Sequence, residues 1–425
     1  MKTYIYPNKS QLAEIIARPV FDNNSLKEKV AAVLQEVKQN GDAAVKKYTA
    51  QFDGVVLENT AVSKQEIEEA ETLVPAELQE AIKAAAKNIR TFHEAQTEQP
   101  KIVETQAGIQ CWRKAVGIEK VGLYIPGGTA PLFSTILMLA IPASIAGCRE
   151  IVLCSPPDKN GKLHPAIIYT ANLVGVTKIF KIGGVQAIGA MAYGTATVPK
   201  VYKIFGPGNQ YVTCAKQWVQ EDSVAIDMPA GPSEVCVLAD ESANAVYVAS
   251  DLLSQAEHGA DSQAILVTTS KDLLEKVQTE VARQLNDLPR KSIAEKALAH
   301  SRLILVKSIE DAIEMANEYA SEHLILSCKN AEAVAEKISN AGSVFIGNYS
   351  PESVGDYASG TNHTLPTNGY ARAYSGVGVD SFVKMITFQK LTQQGLWQIA
   401  KTVATMAAAE GLQAHANAVE WRSKN

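Results

Sequence analysis

Basic residues never cluster: the chain contains no run of five or more Lys or Arg, and its net charge is −5 with an isoelectric point near 5.9. A nucleic-acid surface needs such clustering, so that class of partner is excluded. Long apolar runs are missing too. The longest, Leu132 to Gly147, is broken by Pro142 and falls short of the roughly 20 residues that cross a bilayer. Cysteines are few: six, at 111, 148, 154, 214, 236 and 328, with no C-x-x-C pair. Scattered cysteines fit reduced thiols in a cytosolic enzyme rather than a disulfide framework. The opening residues, Met1 to Ser10, have neither the apolar core of a signal peptide nor the Arg/Ser richness of a transit peptide. The expectation is a soluble, cytoplasmic protein with no membrane and no nucleic-acid partner.

What is present is a rhythm. A chain of 425 residues holds two or three domains. After Val116, short β-branched runs alternate with helical patterns. Strands are expected at Val121–Ile125, Ile151–Cys154, Lys178–Ile182, Val201–Phe205 and Val235–Leu238, and again at Ala264–Thr268, Leu303–Val306, Leu324–Ser327 and Val344–Ile346. Continuous apolar strands separated by helices mean parallel sheets covered on both faces. The predicted fold class is α/β, with two doubly wound, Rossmann-like parallel-sheet domains. Residues 1–25 read as an N-terminal arm. Residues 26–123 with 236–380 form one α/β domain, 124–235 the other, and 381–425 a helical tail. Helices are expected near Ser25–Asn40, Ala43–Phe52 and Ala76–Ala95 in the segment before the sheets.

Glycine-rich turns follow three strands of the first sheet: Ile125–Pro131, Ile182–Gln186 and Phe205–Asn209. A fourth, Met228–Ser233, enters a strand. Glycine lets backbone approach a ligand, and helix N-termini attract phosphate. Three such junctions favour a nucleotide or phosphate ligand at the carboxyl ends of the strands, although no turn spells G-x-G-x-x-G.

The other concentration of chemistry is Ser254–Gln263. It closes a helix with apolar spacing at Ala245, Val248, Ala249, Leu252 and Leu253, for which Asp240 is a candidate cap and Gly259 a left-handed stop. Gln255 and His258 share one helix face and could hold a divalent metal; a capped helix end with two exposed polar residues is the alternative. Glu322-His323 sits at a helix-to-strand junction. A joint acid/base role there requires irregular backbone, because adjacent side chains diverge. In the turn-rich Gly355–Thr367, Asp356 is a candidate hard ligand and His363 a candidate for a substrate carboxylate. The alanine-rich tail carrying Glu410 and His415 suits packing on another surface.

Together these motifs resemble the histidinol dehydrogenase family. The resemblance runs from Val121-Gly122-Leu123-Tyr124-Ile125-Pro126-Gly127-Gly128 through Phe205–Asn209, Ala230–Glu234, Gln255–Gly259, Ser321–His323 and Gly355–Tyr357. It ends at Glu410 and Ala414–Val419. It implies oxidation of L-histidinol to L-histidine through the aldehyde, with two NAD per turnover and one zinc per site. The implied metal ligands are Gln255, His258, Asp356 and His415, and the implied catalytic pair is Glu322 and His323. NAD contacts would be Tyr124, Gln186 and Asn209. Substrate contacts would be Ser233, His363 and Glu410, together with His323 and the metal ligands. The resemblance also implies a homodimer whose exchanged tail brings Glu410 and His415 to the neighbouring site. A zinc-dependent hydrolase on the same scaffold is the competing reading, and it leaves the glycine turns without a purpose.

Overall fold

The computed structural model describes residues 1–18, 24–127, 131–222, 224–229 and 231–424. Gly128 and Ala230, both within the resembling motifs, lie outside the described residues, as do Thr129 and Ala130 of the same glycine turn. Fourteen strands lie among the described residues. Six make one all-parallel sheet: Lys2–Ile5 (β1), Glu234–Ala239 (β9), Gln263–Thr268 (β10), Arg302–Leu305 (β11), His323–Ser327 (β12) and Ser343–Ile346 (β13). Their order is β1-β11-β10-β9-β12-β13. Five make a second parallel sheet: Lys120–Tyr124 (β4), Glu150–Ser155 (β5), Lys178–Lys181 (β6), Lys203–Phe205 (β7) and Ala225–Ile226 (β8), in the order β6-β5-β4-β7-β8. The apolar runs behave as such runs should: every residue of β9 and of β10 is buried.

Three departures from expectation have physical reasons. First, the start of the chain is not irregular, because β1 pairs in parallel with β11 and Ile15 is wholly buried beneath it. Second, the helices before residue 120 accompany the five-stranded sheet and not the six-stranded one. Helices Asn24–Asn40 and Asp42–Phe52 pack on Gly184–Tyr193, Lys64–Leu73 (unforeseen) packs on Pro165–Leu173, and Ala76–Glu94 packs on Phe133–Ile145. Their apolar faces join cores centred on β4 to β7. Third, the segment from 381 is not wholly helical. Val383–Leu391 (β14) pairs with Ile109–Gly117 (β3), which also pairs with Val103–Gln106 (β2), in an antiparallel sheet. Helices Gln393–Ala409 and Gln413–Lys424 follow and pack on each other, with Trp397, Met406 and Trp421 exposed.

Pro142 does not break its helix. Phe133–Ile145 runs through it, and the carbonyl that loses a partner four residues back, on Met138, accepts instead from Asn362 Nδ2 at 2.6 Å. All six cysteines are free, and no described helix is long and apolar enough to cross a membrane.

Candidate active site

A groove of about 880 Å³ runs between the two parallel sheets, lined by Thr135, Asn209, Ser233, His258, Glu322 and His323, together with Asp356 and His363. One wall of it is built at the amino ends of the six-stranded sheet. His323 is the first residue of β12, and Ser233 precedes β9. The irregular backbone that a Glu-His pair requires is Ala320, a left-handed cap (φ 51°, ψ 58°) on helix Ile309–Tyr319. That turn lets both side chains fold inward. Glu322 is 6% and His323 4% exposed, and Glu322 Oε2 stands 3.7 Å from His323 Nδ1. Gly342 closes the turn from the other side, where a Cβ would come within 2.5 Å of the Glu322 carbonyl.

The pair sits in a dense acidic setting. Glu322 Oε2 accepts the Glu234 N–H at 2.9 Å. Burial nevertheless pushes its carboxyl up to about 8, with His323 pulling the other way. Burial opposes a proton on His323. The carboxylates of Glu322, Asp356 (3.4 Å from Nε2) and Glu352 (3.9 Å from Nδ1) overcome it and raise the imidazole well above its usual range. His363 Nδ1 lies 2.8 Å from the Asp356 carbonyl and Nε2 3.1 Å from the Thr135 hydroxyl. A carbonyl only accepts, so Nδ1 carries the proton and Nε2 accepts from Thr135. Burial lowers the His363 pKa, with Asp356 opposing it.

Asp356 does not lie in an open loop. It ends a short helix, Glu352–Tyr357, in which Glu352 and Asp356 are four residues apart on one face. With His258 they form a group whose potential ligand atoms all lie within 4.8 Å of one another. Buried polar atoms that make no hydrogen bond gather in the same region: both amide atoms of Gln255, Oε2 of Glu352, and Oδ1 of Asp356 and Nε2 of His323, which meet each other only as an ion pair at 3.4 Å. Such atoms are costly unless something fills the site. Imidazole nitrogen and carboxylate oxygen are the donors a zinc-like cation takes, so these residues fit one. Burial lowers the His258 pKa against the pull of Asp356, although the residue as a whole is exposed at the rim. The helix before it ends sooner than expected. Asn244, not Asp240, caps its start, Glu257 follows its last residue Ala256, and Gly259 is not left-handed. Asp240 instead accepts from Ser242 and Lys329 N–H groups.

Glu410 and His415 are exposed on the tail and do not line the groove. Three residues to which the motifs assigned no role do reach the site. Glu352 was legible only as a carboxylate at helical spacing from Asp356. Glu234 presents its N–H to Glu322 and its carbonyl to His323 Nδ1 at 3.3 Å. Arg18 clamps the Glu234 carboxylate with two hydrogen bonds, Nε at 2.5 Å and Nη2 at 2.9 Å.

A second cavity, about 1330 Å³, opens beyond the carboxyl ends of β4, β5, β6 and β7 and is lined by Asp53, Tyr124, Gly127, Pro156, Gly184 and Asn209 among others. The glycine turns converge there, at the point where strand order reverses between β4 and β7. The Tyr124 hydroxyl accepts the Gly184 N–H at 3.1 Å. Gln186 is buried behind it, and its Nε2 points at Asp53 Oδ2, 3.4 Å away. Asn209 caps helix Gln210–Glu221 through the Tyr211 and Val212 N–H groups. Gly206, at φ +123°, leaves no room for a side chain against the Tyr124 carbonyl. A buried Lys216–Asp227 pair braces that turn from behind, with Lys216 Nζ on the Gly206 carbonyl and Asp227 Oδ2 on its N–H. Pro126 and Asn209 line both cavities, which are therefore neighbours.

A model of the histidinol dehydrogenase family matches residues 16–423. The histidinol dehydrogenase of Bacteroides fragilis is 63% identical over 422 residues, covering 99% of each chain. That of Mannheimia succiniciproducens is 53% identical over 427 residues, again covering 99% of each. The crystal structure of histidinol dehydrogenase from Elizabethkingia anophelis superposes with a TM-score of 0.98 at 56% identity, over 100% of this chain and 98% of that one. The chain belongs to the histidinol dehydrogenase family.

Proposed function

We propose that the chain oxidises L-histidinol to L-histidine through L-histidinaldehyde, reducing two NAD, as the last step of histidine biosynthesis in a cytoplasmic homodimer with one zinc per site. The observation that carries this reading is a groove holding a buried Glu-His pair beside a His-carboxylate cage, with a nucleotide-sized cavity adjoining it. When bound, NAD accepts hydride and zinc holds the imidazole and amine of histidinol. Gln255, His258 and Asp356 would hold the metal, with the partner subunit's His415 completing the set. Glu352 supplies a further carboxylate beside it.

His323, once its own proton has left, takes the alcohol proton as hydride leaves the adjacent carbon. Water then adds to the aldehyde, and Glu322 is placed to take that water's proton because its raised pKa matches a base working near neutrality. Loss of a second hydride from the hydrate would leave the carboxylate, so the alcohol step yields one NADH and one proton, and the aldehyde step one NADH and two protons, one taken by Glu322 and one by His323. Ser233, His363 and the partner subunit's Glu410 position the substrate, and Tyr124, Gln186 and Asn209 position the dinucleotide. A zinc hydrolase would use the cation cage and leave the nucleotide cavity idle.

The test is NADH absorbance with histidinol, before and after chelation. Two NADH per histidinol, lost on chelation and restored by zinc, is the expected outcome. Full activity in metal-free protein would remove zinc from the reading, and no NADH from metal-replete protein would remove the dehydrogenase.

A further inference from the structure

The nucleotide cavity contains a carboxylate that its local structure does not explain. Asp53 is the residue after helix Asp42–Phe52 and donates its N–H to the Thr49 carbonyl at 2.9 Å. The carbonyl end of a helix repels an acid, so the dipole disfavours Asp53 where it stands. It is half-buried, and burial alone pushes its carboxyl up to about 6. No cation offsets this among the described residues, where its one side-chain hydrogen bond is the long contact from Gln186 Nε2. The other acids of the cavity have shorter contacts: Glu66 meets Lys181 at 2.9 Å, Asp158 accepts the Asn160 and Lys162 N–H groups at 2.9 Å each, and Glu69 accepts from Gln65 Nε2 at 2.8 Å. Asp53 packs close to Gly183, where a Cβ would collide with Pro156 Cβ and lie 3.2 Å from Asp53 Oδ1.

A carboxylate without a cation, facing a nucleotide cavity, suits donors that are neutral and paired. The vicinal hydroxyls of a ribose are such donors, and a phosphate on one of them is the group the carboxylate would repel. Which ribose follows from position. Asp53 lines the outer cavity and not the catalytic groove, while Pro126 and Asn209 line both. The nicotinamide end passes toward His323, so the adenosine end stays with Asp53. Lys29, Lys159 and Lys162 on the same cavity wall supply positive charge for the pyrophosphate.

We infer that Asp53 binds the adenosine ribose diol of the dinucleotide and makes the protein select NAD over its 2′-phosphorylated form, NADP. This rests on the dinucleotide reading above.

Calorimetric titration of NAD and NADP into zinc-loaded wild type and Asp53→Asn tests it, alongside KM for each cofactor with histidinol. Asn keeps an oxygen for Gln186 and removes the charge. The expected result is NAD binding weakened about 10- to 100-fold, as for loss of a hydrogen bond to a charged group, with NADP not weakened, so that the ratio of the two collapses. An NAD analogue lacking the adenosine 2′-hydroxyl, titrated into wild type, reads the same contact without any substitution and should bind about 10-fold more weakly. An unchanged NAD-to-NADP ratio in the variant, or equal affinity for the analogue, overturns the role of Asp53. Wild type that neither binds nor reduces NAD overturns the dinucleotide reading as well.

Discussion

The two parallel sheets present opposite ends to the sites they build. Beyond β4 to β7 the chain leaves the sheet at carboxyl ends, through glycine turns, into the starts of helices. Helix starts carry partial positive charge and free N–H groups, so this half suits the anionic backbone of a nucleotide. At β9, β10 and β12 the site lies at amino ends, just after helices Ala245–Ala256 and Ile309–Tyr319 have finished. Helix ends carry partial negative charge and suit a cation. Backbone shape does the recognising on one side, and buried side chains do it on the other.

The sharpest way to break that contrast is to remove side chains from the catalytic half alone. His323→Asn should slow oxidation of both histidinol and histidinaldehyde by about 10²- to 10⁴-fold, the usual contribution of one general base. Glu322→Gln should slow aldehyde oxidation more than alcohol oxidation. Titration should give NAD affinities close to wild type for both variants, because neither residue lines the nucleotide cavity. A large loss of NAD binding would mean that the two halves are not separable.

A smaller effect tests whether the catalytic half is completed by a second copy. His258→Ala and His415→Ala should each be nearly inactive alone. Unfolded and refolded together, about half the dimers are mixed and one site in two is whole, so roughly a quarter of wild-type NADH production should return under two-fold symmetry. No recovery, with mixed dimers demonstrated, would put His415 in its own subunit's service.

The smallest effect belongs to the outer wall of the nucleotide half. Ser63 and Glu66 form a reciprocal capping box at the start of helix Lys64–Leu73. Ser63→Ala should lower stability by about 1 kcal/mol in denaturant unfolding and leave histidinol oxidation at saturating cofactor near wild type. A change in catalytic rate instead would mean that this wall controls chemistry.

Nine of the eleven strands of the two parallel sheets, all but β1 and β8, were legible because each is a short apolar run bounded by turns, and such runs have one comfortable environment. The partners of helices 24–94 were not. An amphipathic helix such as Ala76–Glu94 announces that one face is buried, not which sheet buries it. β1 was too short to read, and the pairing of β3 with β14 joins segments more than 250 residues apart. In the site, Glu322, His323, His258 and Asp356 stood in recognisable motifs. Glu352, Glu234 and Arg18 act through tertiary contacts, including a backbone N–H and a guanidinium from the first strand's neighbourhood, and no local spacing marks them.

The pairing of β1 also fixes an order of events during synthesis. Lys2 pairs with Arg302, about 300 residues later, and ribosomes add about 5–20 residues per second. The first strand therefore waits about 15–60 s for its partner. Residues 24–226, by contrast, contain the five-stranded sheet and most of the helices that cover it, so that half can close while the rest is still being made. Over that interval the nascent amino-terminal strand, with Ile5 and Tyr6 unprotected, is the segment most open to mispairing with other chains.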